Sequence, residues 1–377
     1  MTDANGVITD FAYHANGNVL SATQLLPSGN RTTSFAYNNN RQLSDMTMPT
    51  GAVQRLRYNA ATRLFQVGNA QGEYVTLPID VPTRTDSSRS TRHVPSVSGS
   101  TPVANVSGEF LARTERDSLG RAWKHHGNNG QRVAFGYDKN GNLLSRTDIA
   151  GRVTTYEYDP QNRLKKIIQP DGGTINYTYD VEGNLWTVID PRGLVTAYTY
   201  NGLGQVTRRV SPDTGTTDYT YDTAGRAATE TRANGVVITY VWDALGRISS
   251  RSAGGVTETF SYDAGAYGKG RLTGLTDATG STSYTYNADG QLAQQASTIY
   301  GSTYTTSWSY DSVGRTTGMT YPSGLSLNYS YDAYGRLSRV GSNVAGWSTV
   351  ADSFLFQPAT DARYAWRLGN NLPRTIP

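Results

Sequence analysis

A carboxylate recurs along this chain directly behind an aromatic residue: Tyr137-Asp138, Tyr158-Asp159, Tyr179-Asp180, Tyr221-Asp222, Trp242-Asp243, Tyr310-Asp311 and Tyr331-Asp332. Tyr200 keeps the aromatic but is followed by Asn201. A carboxylate can transfer protons, ligate a hard cation or cap a turn. Catalysis needs such a group once or twice, so its steady return points to construction. An Asp side chain can accept hydrogen bonds from backbone amides two residues on, and a glycine four places after the aromatic supplies positive φ. That glycine is present as Gly141, Gly183, Gly204, Gly225, Gly246, Gly314 and Gly335. The repeated aspartates therefore read as turn caps.

The other groups with chemical potential are few. "DKNGN" at 138–142 lacks the alternating ligands and the distal Glu of a calcium loop. His125 and His126 are adjacent, and neighbours on a strand point to opposite faces, so they read as surface residues and not as joint metal ligands. Besides these, the histidines are His14 and His93, and cysteine is absent. Thiolate nucleophiles, disulfides and cysteine metal sites are thereby excluded. "GKGRLTG" at 268–274 lacks the strand–helix setting of a phosphate loop. No catalytic, cofactor or metal site is expected, and the chain reads as non-enzymatic.

Composition agrees with a structural role. Apolar residues make up 37%, with 40 Gly and 26 Tyr against four Met, which is poor in core-filling aliphatics and rich in turn and strand formers. The net charge of +4 comes from Arg scattered among Asp and Glu, whereas nucleic-acid binders concentrate their basic residues. No run approaches the roughly 18 apolar residues of a membrane-spanning helix. The start, "MTDANGVITDFAYHANGN", has neither the charged nor the apolar region of a secretory signal and begins as though inside the repeat, as in a fragment.

The elements that carry these residues follow from the period. Anchors fall at Tyr37, Tyr58, Tyr137, Tyr158, Tyr179, Tyr200, Tyr221, Trp242, Tyr262, Tyr286, Tyr310 and Tyr331, in steps of 21 from Tyr137 to Trp242. With Tyr13-His14 and Arg116-Asp117, the chain holds fourteen copies. Each copy reads as two strands. The first carries aromatics on one face (Tyr156 and Tyr158, Tyr177 and Tyr179) and polar residues on the other (Thr155 and Glu157). The second begins six residues after the anchor, at Leu143, Leu164, Leu185, Val206 or Ile248, and closes in turns such as "PDGG" at 170–173. Stacked copies should place the aromatics in ladders, worth about 0.2–1 kcal/mol for each cross-strand pair. The expected fold is all-β: tandem hairpins in a curved, spiralling sheet strip, each unit leaning on its neighbours. The expected organisation is N-terminal repeats over 1–77, a Pro/Ser/Thr-rich insertion over 78–108, the main array over 109–349 and a truncated tail over 350–377.

The phrase Tyr-Asp-x-x-Gly-Arg-Leu, as in "YDAYGRLSRV" (331–340), "YDTAGR" (221–226), "WDALGRIS" (242–249) and "YDKNGNLLSRT" (137–147), resembles the YD-repeat or Rhs family. The resemblance covers nearly the whole chain apart from the insertion and tail. It implies a hollow β-shell, similar to insecticidal toxin-complex shells and the teneurin YD barrel, enclosing a C-terminal toxin or other cargo. The implied partners are that cargo, on the same longer polypeptide, and delivery components, in a secreted or cell-surface setting. The family's closing region has an Asp-Pro-x-Gly-Leu cleavage signature; here "DPRGL" spans Asp190–Leu194, mid-array, where other copies place an ordinary turn. Fourteen two-strand copies make a strip of about 130 Å, or a ring about 40 Å across. That is enough to girdle a domain with a radius of gyration of about 13 Å but too little to enclose it. The alternative is an adhesion or carbohydrate-binding module, with glycans stacking on aromatics such as Trp242 and Trp308.

Overall fold

The computed structural model describes residues 1–2, 7–59, 64–69, 71, 74–76, 79–80, 85–98, 101–127, 130–356 and 362–375, and among them every regular element is a β-strand. The chain divides into two units, one formed by residues 1–113, 261–275 and 279–377, the other by 114–260 with 276–278.

In the 114–260 unit the strands form an unbroken antiparallel meander. Val153–Tyr158 pairs with Leu164–Ile168, that strand with Thr174–Tyr179, and that one with Leu185–Ile189. Register is set by a bulge at each signature aromatic: Glu157 faces Lys166, but Tyr158 faces Leu164, so the return strand carries one extra residue. Such a bulge bends and twists the pair, and here it recurs at Tyr137, Tyr179, Tyr200, Tyr221 and Trp242. Alternation holds as expected, with Tyr156 and Tyr158 half-buried and Glu157 exposed. The polar face carries hydroxyl rungs, among them Thr178 to Thr187 and Thr220 to Thr229, each 2.6 Å.

The other unit repeats this plan in two runs. Strands pair in order from Ile8–Tyr13 to Tyr74–Thr76, and again from Gly280–Tyr286 to Pro373–Thr375. Where the sequence reads as an insertion, Thr85–Ser98 and Thr101–Arg116 are long strands paired with each other. The contacts of their Pro, Ser and Thr side chains up to Ala112 lie outside the described residues. The tail also continues the meander, and Arg367 grips both oxygens of Asp352 at 2.8 and 2.7 Å. The signature fades there, but a ladder of backbone hydrogen bonds does not require it.

The described residues of neither unit pack a second layer behind the sheet. Among the described residues, the buried apolar side chains are Ile238, Ala351 and Ala365. With so little core, the copies must be held by other means, and these lie in the turns.

Candidate functional site

The turn after Tyr158 shows the construction. At its neck the Asp159 amide donates to the Arg163 carbonyl at 2.9 Å, and the Asn162 amide donates to the Asp159 carbonyl at 2.9 Å. The Asp159 carboxylate accepts the Gln161 amide at 3.0 Å and the Arg163 amide at 2.9 Å on one oxygen, and the Arg163 Nε at 2.7 Å on the other. Both its oxygens are thus engaged within the loop. The same clasp recurs at Asp117, Asp222, Asp243, Asp311 and Asp332, each closed by an Arg four residues on. At Asp138 and Asp180 an asparagine amide replaces the guanidinium, at 2.8 and 3.0 Å. Opposite the clasp, Gly141, Gly183, Gly225, Gly246, Gly314 and Gly335 have φ between 77 and 95°. Asn162 takes that place in the Tyr158 copy at φ 61°.

The signature aromatic ties one copy to the one before. The Tyr179 hydroxyl donates to the Leu164 carbonyl at 2.7 Å, fifteen residues back, where the previous return strand begins. Tyr137, Tyr158, Tyr200, Tyr221 and Tyr331 make the equivalent bond over the same interval, and Trp242 makes it through Nε1 to Ala227. Tyr310 reaches Leu292 over eighteen residues. Burial pushes the phenols of Tyr158, Tyr179, Tyr200 and Tyr221 above their ordinary value, which keeps them neutral donors.

The arginine closes the network. Arg163 sits with its guanidinium 4.4 Å from the Tyr179 ring centroid, in cation–π range, while still holding Asp159. Arg121 over Tyr137 and Arg315 over Tyr331 repeat this at 4.7 and 4.6 Å, and Arg121 also donates to the Asp138 carbonyl at 2.9 Å. Asp159, Arg163 and Tyr179 therefore form one clamp that spans two copies, as do Asp117, Arg121 and Tyr137, and Asp311, Arg315 and Tyr331. Tyr179→Phe should remove the inter-copy hydrogen bond while leaving the ring under Arg163, and lower stability by about 1 kcal/mol in urea unfolding. A neutral result would mean that water replaces the bond at no cost.

The expectation of aromatic ladders needs correction. Between Tyr137 and Trp242 no signature ring stacks on the next. Equivalent rings are two strands apart, about 9.6 Å, and the interval is filled by the clamp arginine at one end. Further along the strand it is filled by the return strand, with aliphatics opposite Tyr156 and Tyr177 (Ile167 and Val188) and charged side chains opposite Phe135, Tyr198, Tyr219 and Tyr240 (Arg146, Arg209, Glu230 and Arg251).

The remaining motifs are structural. "DPRGL" forms a turn in which the Asp190 carboxylate takes the Arg192 and Leu194 amides at 2.8 and 2.9 Å and the Arg192 Nε at 2.7 Å. His125 and His126 face opposite ways, one bonded to the Thr114 hydroxyl at 2.9 Å and the other 3.0 Å from Glu115. Among the described residues no three His, Asp or Glu side chains converge as metal ligands. Sequence reasoning missed one further set, within the unit that holds both termini. There Asp289, its side chain 1% exposed, receives the Ser28 amide at 3.1 Å, the Ser28 hydroxyl and the Arg31 guanidinium at 2.7 Å. A Cβ on Gly335 would lie 2.7 Å from the Thr50 carbonyl oxygen, and one on Gly51 2.8 Å from that of Ala333. The inter-hairpin turns of the first copies thus lie edge to edge on the signature turns of the last ones.

Residues 115–244 match the family model of the teneurin YD-shell, and residues 310–343 that of the RHS repeat. No curated protein matches the chain in sequence. Among solved structures, TcdB2-TccC3 aligns with 98% of this chain at a TM-score of 0.54 and 14% identity, and 28% of its own chain is covered. The Photorhabdus luminescens Tc holotoxin pore aligns with 94% at a TM-score of 0.55 and 14% identity, with 21% of that chain covered. The chain therefore spans less than a third of the length of these structures, and at such identity the likeness is one of fold.

Proposed function

We propose that this chain, a run of YD-shell and RHS repeats, is wall material for a hollow β-shell that sequesters a polypeptide cargo, such as a toxin domain carried on the same longer polypeptide. The observation that carries this reading is the single-layer sheet, clamped copy to copy through its turns with almost no core of its own. A conventional domain buries one face of its sheet against another layer. Here the stabilising chemistry sits in the strip's edges and between adjacent copies, which leaves a broad surface free to bound a space. In this reading the wall acts by steric exclusion, and the protein that contains it is exported with its cargo. The carboxylates contribute turn clasps, and Trp242, whose indole is spent on Ala227 and lies 5.6 Å from Arg226, contributes to the wall and not to a sugar platform.

An antibody raised against this chain should detect a product well above 40.9 kDa in the producing cells. In that product, sequence beyond the repeats should resist protease until the repeats themselves are cleaved or unfolded. Digestion of that extra sequence at the rate of its isolated form would overturn enclosure.

A further inference from the structure

We propose that the cleft between the turns at 180–184 and 201–204 binds the guanidinium of an arginine side chain presented by a partner polypeptide. The array itself supplies the template. In the copy before, Arg163 holds Asp159 through Nε and lies 4.4 Å from the Tyr179 ring centroid. It also comes against the next turn, where a Cβ added to Gly183 would stand 3.6 Å from its Nη1. Arg121 spans Asp117, the Tyr137 ring and Gly141 in the same way. One copy after Arg163 the acid and the ring return as Asp180 and Tyr200, but Asn184 stands in the arginine's position. Its amide reaches Asp180 at 3.0 Å, and among the described residues no Lys or Arg pairs with Asp180 or stands over Tyr200. The place that a guanidinium fills in the other copies is here an open cleft of about 520 Å³, lined by Asp180, Glu182, Asn184, Trp186, Tyr200 and Gly202 among others.

The neighbouring copies that also lack the arginine are bridged by the chain's own amides. Between Asp138 and Tyr158, Asn142 and Asn140 both donate to the Asn162 Oδ1, at 2.7 and 2.8 Å. After Asn201 the Gln205 amide donates to the Gly225 carbonyl at 2.6 Å. At Asp180 nothing comparable crosses to the next turn. The Asp180 charge, which an arginine offsets elsewhere, stands uncompensated, and the exposed Glu182 carboxylate adds a second. Trp186, 54% exposed, offers a second aromatic face beside that of Tyr200. A guanidinium is planar, stacks on aromatic faces and presents five donors to carboxylates, so it uses every group the cleft holds. A neutral sugar would leave both charges unanswered. This inference does not depend on enclosure of a cargo.

Isothermal titration calorimetry of the full chain with the peptide acetyl-Gly-Arg-Gly-amide tests it. The control is the same peptide with citrulline, which keeps the shape of arginine without its charge. The arginine peptide should bind saturably with a Kd of about 1 mM, and the citrulline peptide about tenfold more weakly or worse. Trp186→Ala and Glu182→Gln should each weaken binding by about threefold. Both side chains are exposed, so the thermal midpoint should not move. Asn184→Arg should seat the chain's own guanidinium in the cleft, abolish peptide binding and raise the thermal midpoint. No saturable binding of the arginine peptide, or equal binding of the citrulline peptide, would overturn the proposal. Binding that survives Asn184→Arg, or a midpoint lowered by that substitution, would equally overturn it, because the cleft would then not be shaped for a guanidinium.

Discussion

Asp289→Ala should destabilise the unit formed by residues 1–113, 261–275 and 279–377 by about 3–5 kcal/mol, the range found when one partner of a buried ion pair is removed. The carboxylate is 1% exposed and holds three donors from a segment more than 250 residues away: the Ser28 amide, the Ser28 hydroxyl and Arg31. Arg31 is itself only 15% exposed and would keep its bond to the Ser312 carbonyl at 3.3 Å. The substitution thus leaves a guanidinium out of water without its counter-charge and removes the cap that aligns two turns. Asp289→Asn should be milder, because the amide oxygen can still accept from Ser28. Asp213→Ala is the control: that carboxylate is 64% exposed, 3.4 Å from an equally exposed Arg192, and its loss should not register. Urea unfolding followed by tryptophan fluorescence measures all three. If Asp289→Ala behaved like Asp213→Ala, the edge-to-edge contact would not be formed in solution.

That contact also marks the limit of what the sequence discloses. The period of 21 from Tyr137 to Trp242 is enough to read strand, turn and return strand, because the interval between Asp138 and Gly141 has a direct backbone meaning. The same reading correctly makes Asp190 a turn residue, since its neighbours fill the same slot. It does not reveal that Tyr179 reaches Leu164, because a repeat shows equivalence between copies without saying which carbonyl of the previous copy comes within reach. The arginine of "GR" was visible as a consensus letter, but its double contact, with Asp159 behind and Tyr179 ahead, needs the twist and the bulge at Tyr158 to be known. Aromatic ladders follow from stacking the equivalent side chains of successive hairpins, which ignores that each copy inserts a return strand between like rings. Arg41, at φ 62°, and Asn162 hold the turn conformation without glycine, so the spelling of the turn is looser than its geometry. Asp289 carries no periodic mark at all. Its partners are set by which turns the folded strip brings together, and nothing in the local pattern encodes that.

Acid should dismantle the array as a whole, and the sign follows from the clasps. In Asp222 the Arg226 amide, and after it the Arg226 side chain, hold the carboxyl below its ordinary 3.8; in Asp243 and Asp148 the amides of Arg247 and Arg152 lead in the same direction. In Asp159 burial pushes upward, yet the donors from Arg163 and Gln161 outweigh it and the carboxyl is again lowered. A folded value below the unfolded one means that the unfolded chain binds the proton first. The stabilisation is then complete above about 3.8 and drains away as pH falls through the folded values. Across neutral pH these carboxylates contribute no slope. The same clasp recurs in copy after copy, and each copy leans on its neighbours, so partial protonation of many turns should act as one transition and not as a series of local frayings. Thermal melts by circular dichroism should therefore show a constant midpoint from pH 7 to about 5 and a steep, cooperative fall below about 4. Added salt should change this little, since the leading donors at Asp222 and Asp243 are backbone amides within the turn, which salt screens far less than paired surface charges. Asp222→Asn should lower the midpoint at pH 7 and flatten the acid limb, having already lost one of the groups that titrate. A midpoint unchanged down to pH 2, or an acid limb as steep in Asp222→Asn as in the wild type, would show that the clasps do not hold the strip together.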